Sequence, residues 1–225
     1  MVARVSVVSV VDAVADDLRA LVLRGELTAG DGLTESDVAA RYDVARPTAK
    51  AAIEKLVSES LLRRTSHRTA RVVALGVDDV RDIYRTRGFL ERGAIRRLAE
   101  NRSVPPEAVR ANREILLVGN TSSQDIVEPD MRFHMSLVDA LGSERTSRRY
   151  RGLVSEVKLC MSQLQGQQLL AAEVIAADHQ DILDHIEAGD ADKAVGLLDD
   201  HLERASERLV GALDDLSPAA TAERP

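Results

Sequence analysis

The chain has 225 residues, with 30 Lys plus Arg against 37 Asp plus Glu, a net charge of −7 and 44% hydrophobic residues, enough apolar chain to bury a core rather than stay disordered. Aromatic residues make up only 2%, with no Trp, which excludes reading of single strands by rows of stacked bases. The single Cys160 excludes an internal disulfide and a Cys-rich zinc site, and fits a reducing, cytoplasmic setting.

At the N-terminus, a mostly apolar stretch of eleven residues is cut by Asp12, Asp16 and Asp17, with no small-residue cleavage site after it, so it does not read as a signal peptide. No run of about 18 apolar residues follows anywhere to span a membrane. The acidity is uneven. Residues 1–75 carry +1 and residues 76–225 carry −8, while residues 41–71 hold a local +5. A confined basic patch on an acidic chain suggests contact with a polyanion.

Val14, Leu18, Leu21 and Val22 recur at helical spacing and Gly25 closes that stretch, predicting a first helix. Thr34, with Asp37 three residues on, caps a short helix reaching about Arg41. After a turn at 42–45, a third helix runs from about Arg46 to Ser58, with Pro47 in its first turn and Ala49, Ala52, Ile53, Leu56 and Val57 inside. Helix, short turn and helix is the helix-turn-helix arrangement, and its second helix would present Arg46, Thr48 and Lys50 to a major groove. Residues 61–75 place two apolar ends around a basic middle, predicting a β-hairpin wing with Arg63, Arg64, His67, Arg68 and Arg71 toward phosphates or the minor groove.

From Asp78 on the pattern is helical throughout: 78–101, 105–118, 124–141, 145–165, 170–188 and 190–214, an antiparallel bundle of about six helices. Polar residues sit on its inner stripes. Asp130 and His134 share the buried face of the third helix at i, i+4 spacing, and His179 and His201 fall within the stripes of the fifth and sixth. Those two histidines lie about 15 and 18 Å from the turn at Gly189, hence at one level of the bundle. Three imidazoles and a carboxylate aimed into one core suit a divalent transition metal, zinc first, with nickel or manganese as alternatives. Arg87 falls mid-stripe on the first bundle helix with Glu91 one turn on. It reads either as a structural ion pair or as a guanidinium ready to hold a carboxylate beside the metal.

Residues 12–75 resemble the winged helix-turn-helix of the GntR family of bacterial transcription regulators. The carrying residues are Leu21, Gly25 to Leu27, Gly30, Leu33 to Glu35, Val38-Ala39, Val44 to Arg46, Ile53, Leu56 and Leu61-Leu62. The resemblance implies DNA contacts at Arg46, Thr48 and Lys50, and with Thr34, Ser36 and the wing residues Arg64, His67 and Arg68 these make up the expected DNA-binding set. The chain departs from the family pattern at Ser36 and Ala45, in the order Pro47-Thr48, and at Thr69, where the wing often has glycine. At Lys50 a point charge replaces a bidentate fork.

The bundle resembles the effector-binding FCD domain of the FadR subfamily, through Tyr84 to Glu91, Asp130-Met-Arg-Phe133-His134, Asp178 to Asp190, and His201-Leu202. Here Gly142-Ser143 stands in place of a common Gly-Asn. That resemblance implies metal ligation by Asp130, His134, His179 and His201, a small carboxylate effector beside the metal and Arg87, and a homodimer. The expectation is a mainly α chain in three parts: a DNA-binding domain at 1–75 with a small β wing, an all-helical metal- and effector-binding, dimerising domain at 76–216, and a frayed tail at 217–225. It would act as a repressor on a near-palindromic double-stranded operator, with no membrane contact and no enzymatic step. The alternatives are a metal-dependent enzyme using the Asp/His site and a regulator whose metal is purely structural.

Overall fold

The computed structural model describes residues 9–64, 69–118, 123–164 and 171–216. It divides into two compact units, one ending at Ala74 and the other starting at Leu75.

In the first unit, α1 (Val10–Leu23) turns Val14, Ala15, Leu18, Leu21 and Val22 inward, the stripe its sequence periodicity predicts. The Thr34 hydroxyl accepts the Asp37 amide at 3.1 Å and so starts α2 (Glu35–Tyr42), which ends at Asp43 with φ 49°. Asp43 tolerates that left-handed backbone as a short polar residue. Ala45 opens α3 (Arg46–Ser58), which has no side-chain cap and carries Pro47 in its first turn, where the missing amide costs nothing. Ala49, Ala52, Ile53 and Leu56 are its buried face, packed on α1 and α2. A bidentate pair from Arg19 to Glu59, 2.7 Å on both arms, ties α1 to the end of α3.

The wing comprises β2 (Leu62–Arg64) and β3 (Thr69–Val72), and β1 (Gly32–Thr34) adds to β3 on its other edge. All pairings are antiparallel, with Leu33 opposite Ala70 and Leu62 opposite Val72. The alternation puts Leu33, Leu62, Ala70 and Val72 inside. Sequence reasoning found the wing but not β1, whose three residues are too short for a period-2 pattern to register.

Among the described residues the second unit holds six helices: α4 (Val77–Glu100), α5 (Pro106–Val118), α6 (Ser123–Asp139), α7 (Glu144–Gln163), α8 (Ala172–Ala188) and α9 (Ala191–Leu216). The Asp79 carboxylate accepts the Gly76 amide at 2.9 Å at the start of α4. Gly189, at φ 81°, terminates α8 in the left-handed conformation that glycine adopts freely, and the chain turns straight back into α9. Helix α9 lies along α4 and α8, and Arg92–Asp199 at 2.6 Å and Arg96–Asp192 at 2.9 Å clip its outer edge to α4. No helix among the described residues is long and apolar enough to cross a membrane.

Candidate functional site

In the first unit, Arg46 and Lys50 stand exposed on the first turns of α3, with Thr48 half-buried between them, and Ser36 is exposed on α2. Thr34 is engaged locally, since its hydroxyl both accepts the Asp37 amide and donates to the Asp37 carboxylate at 2.6 Å. Arg64 is tied inward, with its Nε 2.9 Å from Glu54 and its Nη2 on both Glu54 and Glu35. These hydrogen bonds, Glu54's first, raise its pKa further. Reaching a phosphate would mean leaving two carboxylates. His67 and Arg68 lie outside the described residues.

In the second unit, the inner stripes of α6, α8 and α9 bring Asp130, His134, His179 and His201 together. One ligand atom from each lies within 4.8 Å of the others. His134, His179 and His201 are all buried, and Asp130 Oδ1 sits 3.3 Å from His179 Nε2 and 3.8 Å from His134 Nε2.

Hydrogen bonds behind the cluster fix the rings. His134 Nδ1 meets Glu91 Oε2 at 2.6 Å, and His201 Nδ1 meets Asp178 Oδ2 at 3.1 Å. Each carboxylate takes one ring nitrogen and leaves Nε2 for the cluster, the arrangement that orients metal-binding imidazoles. His179 is held by stacking on Phe133, with ring centroids 3.6 Å apart and planes 4° from parallel.

Glu91 is the hub. Its Oε1 accepts from Arg87 Nε at 3.0 Å and from the Tyr150 hydroxyl at 2.5 Å. Burial pushes its carboxyl up, but His134 and Arg87 outweigh burial and hold it well below the usual carboxylate range. Burial, reinforced by the charge of Arg87, drives His179 well below the usual histidine value, and burial also lowers His134. Both rings are therefore neutral near pH 7, with lone pairs open to a cation.

The cluster passes a test of fit. Asp130 Oδ1, His134 Nε2 and both nitrogens of His179 are buried without a hydrogen-bond partner. Such groups are costly unless something compensates them. An acceptor-rich set of imidazoles and a carboxylate is compensated by a borderline divalent cation rather than by another hydrogen-bond donor. Asp130 and His201 also border a cavity of about 50 Å³, together with Tyr84 and Arg87. The Arg87 guanidinium lies over the Tyr84 ring at 4.8 Å, and its Nη2 is buried without a partner.

Both readings of Arg87 therefore meet in one side chain: Nε pairs with Glu91, and Nη2 is unmet. Sequence reasoning missed the roles of Asp178, Phe133 and Tyr150. Asp178 and Phe133 directly precede two of the histidines, but neighbours in a helix point about 100° apart, so only the fold shows what each touches.

Comparison with known proteins decides the family. The model described as "FCD domain" matches residues 82–204, and that described as "Bacterial regulatory proteins, gntR family" matches residues 10–72. The chain belongs to the GntR family. As in its relatives, the parts are those of a DNA-binding transcription regulator rather than an enzyme, which removes the metalloenzyme alternative.

The "Uncharacterized HTH-type transcriptional regulator BphR" of Paraburkholderia xenovorans is 28% identical over 87% of this chain and 83% of its own length. The "Probable D-xylose utilization operon transcriptional repressor" of Paenarthrobacter nicotinovorans is 25% identical over 88% of each. A solved GntR-type regulator from Rhodococcus sp. RHA1 shares the fold with a TM-score of 0.77 at 22% identity, covering 90% of this chain and 98% of that one.

Proposed function

We propose that this GntR regulator is a homodimeric repressor whose affinity for a near-palindromic operator is set by a small carboxylate bound beside a metal. In this reading residues 1–75 read DNA and residues 76–216 hold metal and effector and dimerise, while the expected tail at 217–225 lies outside the described residues. The carrying observation is that two unmet groups share one cavity wall, Asp130 Oδ1 of the donor cluster and Arg87 Nη2, with His201 beside them.

Asp130, His134, His179 and His201 would hold the metal, with zinc first and nickel or manganese as the other ions suited to this donor set. When bound, such an ion supplies a cationic anchor for a carboxylate oxygen. Arg87 then donates Nη2 to the same carboxylate, and Glu91 keeps both the guanidinium and the His134 ring in register. A metal with no effector role would leave Arg87 Nη2 buried to no purpose.

On the DNA side, Arg46, Thr48 and Lys50 enter the major groove, with Ser36 and the cap at Thr34 beside them. The wing residues Arg64, His67 and Arg68 follow the backbone. Two-fold symmetry of a dimer calls for a symmetric site. To induce, the acid must favour the DNA-incompetent arrangement, and a coupling of about 1–3 kcal/mol changes operator affinity roughly 5- to 150-fold.

The test is retention of genomic fragments by the purified, metal-loaded protein at near-physiological salt, with and without pooled organic acids. Enrichment of one symmetric motif, lost when the acids are added, supports the reading. Flat recovery under every condition sinks it.

A further inference from the structure

We propose that the acid carries a single carboxylate on a compact apolar body, and is neither a sugar acid nor a polycarboxylate. The inference rests on the effector reading above and concerns what the rest of the cavity accepts.

Most of the cavity's polar lining belongs to one group: Asp130 and His201 of the donor cluster, and Arg87 over the Tyr84 ring. The remaining walls come from α6, α7, α8 and α9 and include Val127, Met131, Val157, Met161, Ile175 and Leu209. Among the described lining residues there is no Ser, Thr, Asn, Gln or Lys, and the one further polar group, Arg208, is solvent-exposed.

A row of hydroxyls entering this space would lose its water without gaining partners, a penalty on the order of a hundredfold for one hydroxyl in an apolar pocket. A second carboxylate would meet hydrocarbon, or would have to reach a guanidinium out at the solvent boundary. An apolar chain, by contrast, gains from every methylene it buries. The space is also small, with room for about three to five waters, so the body is a short or branched chain of a few carbons.

The experiment is calorimetric titration of the full-length, zinc-loaded protein with acetate, butyrate, isovalerate, erythronate, malate and citrate. Affinity should rise about fourfold per methylene from acetate until the cavity fills. Erythronate, matched to butyrate in carbon number but hydroxylated, should bind at least about tenfold more weakly than butyrate. A second arm uses Met161→Gln, which sets an amide among the apolar side chains of the wall. It should weaken isovalerate while leaving acetate unchanged.

Tighter binding of erythronate, malate or citrate than of butyrate would overturn this inference and leave the effector reading intact. Equal loss of acetate and isovalerate in the variant would also overturn it. Failure of all six acids to bind a protein that holds its metal would overturn the effector reading and this inference together. The series on the unaltered protein decides between these outcomes even if the variant does not fold.

Discussion

The two units handle polar groups in opposite ways. In the first, Arg46 and Lys50 stand in solvent at no desolvation cost, and arginines such as Arg19 and Arg64 that reach inward find carboxylates. In the second, an arginine, a glutamate and three histidines are buried, and several of their atoms have no partner at all. A surface that meets DNA can be read from water, because phosphate simply replaces hydration and counterions. A pocket that must distinguish small molecules needs polar groups already stripped of water, so that only the right ligand satisfies them. That contrast predicts where substitutions hurt: in the second unit they should cost stability or metal, and in the first they should cost DNA affinity alone.

The largest effect should come from Glu91→Gln. It removes the counter-charge of a buried guanidinium and loosens His134 and Tyr150 at once. Breaking a buried pair typically costs about 3–5 kcal/mol, so the melting temperature of the second unit should fall by many degrees and metal affinity should drop with it. An unchanged melting curve would mean that Glu91 is not the hub its contacts describe. His179→Ala comes next. Metal at a hundredfold excess over its dissociation constant stabilises by about 2.7 kcal/mol, so chelation should lower the melting temperature of the unaltered protein and leave that of the variant unmoved, with elemental analysis showing no bound metal in the variant.

Arg46→Ala should show the opposite profile, with operator affinity weakened by about 1–3 kcal/mol and both melting and metal content unchanged. Loss of metal in this variant would break the contrast between the units.

How legible each unit is in the sequence follows from the same contrast. A polar residue on an inner face interrupts an apolar stripe, so Asp130, His134, Arg87, His179 and His201 stand out against Met131, Leu137, Ile182 and Leu198. The meeting of His179 and His201 at one level follows from 1.5 Å per residue and a tight turn at Gly189. Exposed contact residues interrupt nothing, and Arg46 looks no different from other surface arginines until the helix-turn-helix is recognised. Side-chain commitments such as Arg64 to Glu54 and Glu35, or Tyr150 to Glu91, join elements far apart in the chain and have no periodic signature. Strand β1 escapes for another reason, since it exists only because β3 offers it an edge.

Acid should separate the units more gently. In metal-free protein His179 and His134 have folded pKa values below the ordinary histidine value of 6.5, so the unfolded chain binds more protons. Their share of stability is complete above about pH 6.5 and drains as pH falls below it toward the lowered folded values. Urea unfolding of the second unit should therefore shift to lower denaturant between pH 7 and 5, and His179→Ala should flatten that shift. Bound metal should resist it until protons compete for the ligands.

The smallest expected effect belongs to Arg64→Ala, and it probes the first unit where sequence and structure pull apart. The basic middle of the wing hairpin assigns Arg64 to DNA, whereas its guanidinium sits between Glu54 on α3 and Glu35 on α2 with 22% of the side chain exposed. Partly exposed pairs of this kind contribute about 0–1 kcal/mol, so the variant should lose little stability. If the carboxylates keep the side chain when DNA binds, the salt dependence of operator affinity should be unchanged. If phosphate captures it instead, the slope of log affinity against log salt should fall by about one. The first outcome makes Arg64 a brace between α2, α3 and the wing. The second makes Glu35 and Glu54 a holding site that the DNA backbone empties, and would move Arg64 to the side of Arg46 and Lys50.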